Sequence, residues 1–450
     1  MRLVVTNYTG DRGNWGCRAT SHELVRFLRD TVPDLGDASI TTVPLPAPHE
    51  FDRRVEAAYG RRLRKIYGDP SPSPAAVRFV EALAKERFGR ACDDLAGADA
   101  VVFQGEGTVG PPSMFRSLRL FALPFLAVHR YRKPVLSMNQ SLYATDAQDA
   151  ALIRSIFAAF RMVAVREAAS YGFARRIGID HAVLCPDFAF RQLRASSPEP
   201  PDDACGYFCV SGSAARDFFD PAMLRRIVRR TTEVHGLRPV FLSSRAKDTR
   251  ELGAMLDGLP GARIMASTDL PDAAQLAGIL ANARFVIGGR YHTAIAALTQ
   301  GTPAVLLPGN THKNEGLAAM LGLPLEVFGT GDEAAVMARI EKIVSEGDRG
   351  RDDTRVAVTR LGPTFAAFGC FLATTFRELG HGDGLLAPAP AEITPPYDEV
   401  DRGSPHADLY RRGNRGRDRF FTLPHRIALL RMRSSSGLAE ELRRTLVDLP

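Results

Sequence analysis

The sequence is poor in the residues that define specialised protein classes. Six of its 450 residues are cysteine, and only Cys205 and Cys209 lie close together, with no second pair to complete a zinc site. We therefore expect no disulfide framework and no metal site. The cysteines are instead expected to be free thiols that are buried or partly buried. No apolar run approaches the roughly 20 residues that span a bilayer, and the N-terminus turns polar after a short apolar stretch. A cytoplasmic protein is predicted.

Charge of one sign is not in large excess either. Lys and Arg number 58 against 51 Asp and Glu, so the formal net charge is +7. This mild balance favours an anionic ligand or surface, and it does not indicate nucleic acid, because a solvated basic surface is the more common cause. With 45% hydrophobic and 24% charged residues the composition is typical of a soluble globular protein, and the length suits two or three domains.

Short β-branched segments alternate with longer segments of helical spacing, which predicts an α/β fold with parallel sheets. The predicted strands of a first series are Leu3 to Thr6, Ala100 to Phe103, Pro134 to Met138, Met162 to Val165 and Ala182 to Leu184. Those of a second series are Gly206 to Val210, Arg238 to Leu242, Arg263 to Met265, Phe285 to Ile287 and Ala304 to Leu307. A Pro-rich, acidic linker, Ser196 to Asp203, separates them. We expect domains over 1–195 and 204–345, with a ligand cleft between them.

Two other regions depart from this alternation. Residues 44–74 predict an insertion that contains a helix around Arg53 to Ile66. Residues 383–450 begin Pro-rich, which predicts an extended linker, and continue as a basic tail. The end of that tail mixes Arg with apolar residues. It predicts either a short amphipathic helix in peripheral contact with anionic lipid or a helix docked on its own domain.

The segment 285–323 carries the most chemistry. Gly288 and Gly289 let the chain turn sharply after a strand, and Arg290 and His292 follow at the start of a helix, where backbone amides favour anions. This pattern predicts an anion site with a proton donor beside it. The alternative is that Arg290 forms a salt bridge across the domain interface while His292 caps the helix. A second turn offers Asn310, Thr311, His312 and Lys313 to the same side of the sheet.

The order of that segment (strand, Gly-Gly, Arg-x-His, helix, Gly-x-Pro, strand, loop, Lys, helix) resembles the C-terminal signature of the polysaccharide pyruvyl transferase family. Asn14 to Ala19 resembles the family's N-terminal glycine loop, and VVFQGEGTVG at 101–110 resembles its strand ending in a glycine cluster. VLSMNQSL, VAVREAASYGFARRIGI and CPDFAF resemble three further elements in the right order. The resemblance covers about residues 1–345. One departure is Glu106, which stands between Gly105 and Gly107 where the family has three consecutive glycines.

The resemblance implies two Rossmann-like domains facing a cleft, the arrangement called GT-B, with the acceptor on 1–195 and the donor on 204–345. Residues 346–382 would return as a helical segment that braces the first domain. The implied reaction moves the enolpyruvyl unit of phosphoenolpyruvate onto two hydroxyls of a saccharide, releasing phosphate and leaving a cyclic pyruvate ketal. It would serve exopolysaccharide or cell-envelope glycan synthesis, with a lipid-linked or nucleotide-linked acceptor and no cofactor.

The family's two arginines match Arg166 and Arg290, whose guanidinium forks suit a phosphate and a carboxylate. His292 would donate a proton or hold the departing phosphate, and Glu106 or Asp187 would act as base. The binding residues we predict are Gly105, Gly107, Asn139, Gln140, Gly288, Gly289, Lys313, Asn14 and Trp15. For Asn139 and Gln140 the alternative is a satisfied loop end, and for Trp15 it is core packing rather than stacking on a sugar ring.

Two other functions stay open on the sequence. A nucleotide-sugar glycosyltransferase of the same fold would need an acidic residue to grip a ribose after the second turn, and Glu315 is the candidate. A non-catalytic saccharide-binding protein would retain the fold without the reaction.

Overall fold

The structure, a computed structural model, describes residues 1–32, 35, 39–110, 115–191, 206–213, 220–243, 246–253, 255, 258–259, 261–266, 273–323, 326–329, 331–381 and 388–395. The predicted linker at 196–203 and the basic tail beyond 395 lie outside these residues.

The first half of the chain forms a six-stranded parallel sheet in the order β2-β1-β3-β4-β5-β6. Its strands are Leu3–Tyr8 (β1), Ile40–Pro44 (β2), Ala100–Glu106 (β3), Val135–Gln140 (β4), Met162–Val165 (β5) and Ala182–Leu184 (β6). Five of these strands, β1 and β3 to β6, were predicted, because each is a short run that contains β-branched residues and is buried on both faces. β2 was missed. It is an edge strand in which only Val43 is buried, so its sequence carries no continuous apolar signal.

The second half forms a five-stranded parallel sheet in the order β11-β10-β7-β8-β9. Its strands are Tyr207–Ser213 (β7), Arg238–Ser243 (β8), Arg263–Ala266 (β9), Val286–Gly289 (β10) and Ala304–Leu306 (β11). All five coincide with predicted strands. From β7 the chain adds β8 and β9 on one side of the sheet and then β10 and β11 on the other side. Open α/β sheets bind ligands at the point between two neighbouring strands where this order switches, which here is between β7 and β10.

Helices cover both faces of the two sheets, as parallel strands require. Those of the first half are Trp15–Thr31 (α1), Glu50–Tyr67 (α2), Pro74–Phe88 (α3), Arg90–Gly97 (α4), Leu118–His129 (α5), Ala147–Ala158 (α6) and Ala168–Arg176 (α7). Those that follow are Pro221–His235 (α8), Ala246–Gly253 (α9), Ala273–Asn282 (α10), Tyr291–Thr299 (α11), Lys313–Leu321 (α12), Glu333–Glu346 (α13), Asp348–Thr359 (α14) and Leu361–His381 (α15). The predicted α/β fold class is confirmed, and α2 is the helix predicted in the insertion.

Helices α7 and α12 pack closely where the two halves of the chain meet. A β-carbon placed on Gly316 of α12 would lie 2.0 Å from the Glu167 carboxylate of α7, so only glycine allows this approach. Glu167 is the N-cap of α7 and accepts a hydrogen bond from the amide of Ser170. This tight contact fixes the two sheets relative to each other beside the site described below.

Helix α15 packs on α1, with the ring of Phe368 centred 5.8 Å from that of Phe27. The Pro-rich stretch after it was predicted to be extended throughout, but Ala391–Ile393 form a turn of 3₁₀ helix, and Ile393 is buried against the same core. An apolar side chain in a Pro-rich segment can thus anchor it.

The expectation that no segment is long and apolar enough to span a bilayer needs correction. The helical stretch Asp348–Leu379, which comprises α14 and most of α15, meets that criterion by length and composition, with a mean hydropathy of 1.4 in its most apolar window. Part of this apolar content is explained by the face that packs on α1.

Candidate active site

A cavity of about 170 Å³ lies between the two sheets, at the carboxyl ends of their strands. It is lined by Asn14, Trp15, Cys17, Glu106, Gly107, Thr108, Arg166, Arg290, Tyr291, His292, Thr293 and Lys313. Eight of these were predicted from the sequence as site residues. Both halves contribute, so the cavity matches the expected cleft position.

Three helices begin at this cavity. Asn14 caps α1 and accepts a hydrogen bond of 2.9 Å from the amide of Gly16. Arg290 occupies the N-cap of α11, and Lys313 is the first residue of α12. Helix N-termini carry unsatisfied amides and partial positive charge. Together with Arg166, these elements make one side of the cavity strongly attractive to anions.

Arg166 is fully buried at the end of β5, and most of its donors are engaged. Its Nε donates to Ser141 Oγ at 2.8 Å and its Nη1 donates to Asp187 Oδ2 at 2.8 Å, while the guanidinium lies 4.6 Å from the Tyr291 ring centroid. Burial lowers the pKa of Arg166, but Asp187, Tyr291, Glu106 and Glu167 together outweigh it, and the net effect is a raised pKa. The remaining nitrogen, Nη2, lies on the side of Gly107, whose β-carbon would be 3.2 Å away. Arg166 therefore offers one nitrogen to a ligand, and the expected two-pronged binding is not available from it.

Asp187 contacts Arg166 of the first half of the chain and His292 of the second half. His292 Nε2 lies 3.3 Å from Asp187 Oδ2, and Thr20 donates to Oδ1 at 2.7 Å. Burial acts to raise the pKa of this carboxyl, but His292, Arg166 and Thr20 together hold the pKa of Asp187 well below its usual range. A carboxylate so stabilised in its ionised form is a poor base, which removes Asp187 from the two base candidates. It instead orients His292.

Gly16 is a functional position that sequence reasoning missed. A β-carbon on Gly16 would lie 2.5 Å from Cβ and 2.7 Å from Nδ1 of His292. The N-termini of α1 and α11 can meet at this point only because residue 16 has no side chain. The Asn-Trp-Gly signal was present in the sequence, but its steric partner is 276 positions away and only the fold reveals it.

Glu106 is the acidic residue of the cavity wall. Its backbone has φ of +47°, in the left-handed region that glycine adopts freely. Oε1 accepts hydrogen bonds from Thr9 Oγ1 and, at 3.1 Å, from Gln104 Nε2, and Oε2 accepts from Cys17 Sγ at 3.4 Å. Burial, together with Glu106, raises the pKa of the Cys17 thiol, so Cys17 remains a protonated donor.

Five predicted binding residues do not line the cavity: Gly105, Asn139, Gln140, Gly288 and Gly289. Asn139 turns inward and donates to Thr20 Oγ1 at 2.7 Å, and Gln140 donates to the Ser141 carbonyl at 2.7 Å, so the amide nitrogens of both are engaged within the protein. The alternative of satisfied strand ends holds only in part, because Asn139 Oδ1 and Gln140 Oε1 are buried with no hydrogen-bond partner among the described residues. A β-carbon on Gly105 would lie 1.3 Å from Gln140 Oε1.

The two glycines of β10 also serve packing. A β-carbon on Gly288 would lie 2.1 Å from Ser211 Oγ, and one on Gly289 would lie 2.4 Å from the Pro308 carbonyl. These glycines permit close strand packing rather than ligand contact.

Three further expectations about the cavity wall are modified. Trp15 is 4% exposed and belongs to the hydrophobic core, so core packing accounts for most of its surface while one edge reaches the cavity. His312 does not face the cavity with Lys313. Its Nε2 lies 2.9 Å from the Leu142 carbonyl oxygen and its ring contacts Tyr143. Glu315 is likewise absent from the cavity wall.

Comparisons with known proteins bear on both the family and the fold. The model of the polysaccharide pyruvyl transferase family matches residues 14–310. No curated protein sequence matches significantly.

Among solved structures, a protein assigned as UDP-N-acetylglucosamine 2-epimerase from Listeria monocytogenes has a TM-score of 0.52 at 12% identity, over 85% of this chain and 97% of that one. HepE of Anabaena, solved with UDP-glucose, has a TM-score of 0.50 at 10% identity, over 85% and 98% of the two chains. Likeness at this identity shows the fold alone, two Rossmann-like domains in the GT-B arrangement.

Proposed function

Because the chain belongs to the polysaccharide pyruvyl transferase family, we propose that it transfers the enolpyruvyl unit of phosphoenolpyruvate to two hydroxyls of a saccharide. The family supports polysaccharide pyruvylation in general. The observation that carries the finer proposal is the cluster of Arg166, Arg290 and Lys313 with three helix N-termini at one cavity. Phosphoenolpyruvate carries a phosphate and a carboxylate, and this arrangement provides cationic donors for both.

The reaction balances without a cofactor. One acceptor hydroxyl attacks C2 while C3 gains a proton, the second hydroxyl then replaces phosphate at C2, and the second proton leaves with the phosphate. The product is a methyl-bearing ketal carbon and hydrogen phosphate. A proton donor, a proton acceptor and stabilisation of the leaving phosphate are the three requirements.

The residues at the cavity can meet these requirements. We assign His292 as the proton donor to C3 or to the phosphate, with Asp187 holding its ring at 3.3 Å. Glu106, which also lines the cavity, takes the proton of the attacking hydroxyl. Arg290, Lys313 and Nη2 of Arg166 bind the phosphate and carboxylate, and the amides of α11 add to the charge stabilisation. Asn14 and Trp15, which complete the cavity wall, contact the saccharide.

We propose a lipid-linked or nucleotide-linked acceptor, used in the cytoplasm or at the inner face of a membrane during exopolysaccharide or cell-envelope assembly. The basic composition of residues 411–433 supports a peripheral membrane contact. The proposal includes no cofactor, no metal and no nucleic acid.

A binding comparison separates this function from its two alternatives. Thermal denaturation is followed with phosphoenolpyruvate, with UDP-glucose and with neither, since a ligand of the folded state raises the unfolding temperature. We expect protection by phosphoenolpyruvate. Protection by UDP-glucose alone would favour the glycosyltransferase, a candidate that the position of Glu315 does not support. Protection by neither would favour the saccharide-binding protein.

A turnover assay then tests the chemistry. Phosphate release from phosphoenolpyruvate is measured across lipid-linked saccharides with the native chain, Arg290→Ala and His292→Ala. We expect release by the native chain and its loss in both variants, with their unfolding curves still cooperative. Undiminished release by either variant would remove that residue from the mechanism.

A further inference from the structure

Glu106 is the one position where the glycine cluster of this chain carries a side chain. The backbone at Glu106 has the left-handed conformation that suits glycine, with φ of +47°. A glutamate in this conformation is strained, and strained residues persist mainly where they serve a site. The strain directs attention to what the carboxylate does in the cavity.

The Glu106 carboxylate is held in a fixed orientation by first-half donors. Thr9 and Gln104 donate to Oε1, and Cys17 donates to Oε2 at 3.4 Å. Ser21 secures this set, since its Oγ lies 2.7 Å from Gln104 Nε2 and 2.9 Å from Thr9 Oγ1. A carboxylate accepts about four hydrogen bonds, so three donors leave Oε2 able to accept one more. A saccharide hydroxyl entering the cavity can supply it.

Residues 106 and 107 meet different groups at the cavity. A β-carbon on Gly107 would lie 3.2 Å from Arg166 Nη2 and 3.9 Å from Lys313 Nζ, so Gly107 faces the cations. The Glu106 carboxylate contacts Cys17 of α1 instead, and its charge also helps to raise the pKa of Arg166. With the anionic donor bound by the cations beside Gly107, a saccharide group beside Glu106 meets a carboxylate.

We propose that Glu106 is a specificity-determining residue that admits neutral or cationic saccharides and rejects saccharides carrying a carboxylate or phosphate beside the reacting hydroxyls. This inference rests on the proposed function, because it assigns the second subsite to the saccharide. A buried carboxylate repels a second anion a few ångströms away by more than the exchange of one hydrogen bond can offset, so an anionic acceptor loses about tenfold or more in affinity.

The test is a binding series in which only the charge of the sugar changes. The full chain, with inorganic phosphate present to fill the anion subsite, is titrated with methyl glucosaminide, methyl glucoside and methyl glucuronide, and binding is followed by ligand-observed NMR. The variants are Glu106→Gln, which keeps the size, and Glu106→Gly, which also relieves the backbone. The matched control is Glu86→Gln, which removes the same charge from an exposed position on α3.

The native chain and Glu86→Gln are expected to bind the glucuronide about tenfold more weakly than the glucoside, with the glucosaminide at least as tight as the glucoside. Both Glu106 variants are expected to bind the three sugars within a few-fold of one another. Glu106→Gly should unfold at the same temperature as the native chain or higher, because glycine adopts the left-handed backbone conformation freely. The binding series can therefore be measured with Glu106→Gly even if Glu106→Gln folds poorly.

Three results would overturn the inference. These are equal binding of all three sugars by the native chain, unchanged discrimination in both Glu106 variants, or no binding of any sugar. Phosphate release from phosphoenolpyruvate by the native chain is measured in parallel. If release occurs while discrimination is absent, the specificity role fails alone; if release is also absent for every acceptor, the proposed function fails with it.

Discussion

Two turns in the second sheet are built on the same sequence pattern, yet their histidines have different surroundings. His292 follows β10, contacts Asp187 and Arg166, and keeps 15% of its side chain exposed at the cavity. His312 follows β11, is 3% exposed, and lies against the Leu142 carbonyl and the Tyr143 ring. The difference comes from the first half of the chain, which places the Asp187–Arg166 ion pair against His292 but a carbonyl, the Ser170 hydroxyl and aromatic rings against His312, with Glu167 nearby. Local sequence therefore positions a histidine, and the element packed against it decides its chemistry.

The largest expected effect is the contrast between the alanine variants of the two histidines. His292→Ala should lower turnover by about 10² to 10⁴-fold, the usual contribution of a proton-transferring group, with little change in unfolding temperature. His312→Ala should destabilise the chain by about 2 to 3 kcal/mol, because it leaves a buried carbonyl without its partner and opens a void, while turnover per folded molecule is largely kept. Phosphate-release kinetics and thermal denaturation of both variants measure this. Loss of turnover in the His312 variant alone would reverse the comparison.

Asp187 supplies the negative charge beside His292. Asp187→Asn should therefore remove the difference between the surroundings of His292 and those of His312. Removing one partner of a buried ion pair costs about 3 to 5 kcal/mol, so the variant is expected to be much less stable at neutral pH. Because the pKa of Asp187 is lowered in the folded chain, its stabilisation is complete above the ordinary aspartate pKa of about 3.9 and is lost as the pH falls below it. The gap in unfolding temperature between native and variant chains should therefore narrow in acid. A gap that is constant from pH 7 to pH 3 would contradict this.

The contact between α1 and α11 gives a smaller effect with a close control. Gly16→Ala places a β-carbon 2.5 Å from His292 Cβ, so the helix ends must separate, at a cost of about 1 to 3 kcal/mol and with His292 displaced. Gly13 lies three residues earlier, in the loop before α1, and the β-carbon of Gly13→Ala would have no atom within 4 Å. Turnover and unfolding temperature should fall in the first variant and stay near native in the second. Equal behaviour would mean that this contact does not position His292.

Lys313 gives the smallest effect, since it is the one feature that the second turn contributes to the cavity wall. Lys313→Met removes one charge from a set of cations and helix N-termini, and the KM for phosphoenolpyruvate should rise about tenfold with kcat changed less. Lys313→Arg should recover part of the affinity. A kcat that falls as far as in His292→Ala would instead place Lys313 in the chemical step.

Two kinds of feature could be predicted from the sequence: the repeated strands, and the charged residues that follow a strand. Ten of the strands were located because buried parallel strands are largely apolar, and Arg290, His292 and Lys313 were predicted because the carboxyl ends of strands share one edge. Arg166 was predicted through the family resemblance. That edge rule brings residues from distant segments together without any knowledge of their side-chain contacts.

The rest depends on contacts between distant segments, which the sequence does not record. Cys17, Tyr291 and Gly16 reach the site or its support through partners in another element, and their own neighbourhoods in the sequence do not identify those partners. Asn139 and Gln140 show the converse error. Both end a strand at the correct edge, but Asn139 has φ of +56°, which turns its side chain toward Thr20 and away from the cavity.

The engagement of Arg166 also affects the entropy of ligand binding. An arginine side chain in solution samples many rotamers, and ordering it on binding costs up to about 2 kcal/mol. In this chain Ser141, Asp187 and the Tyr291 ring have already fixed the guanidinium during folding. An anion that meets Nη2 therefore binds a group that has no further freedom to lose, so that contact should be favourable in enthalpy with little opposing entropy.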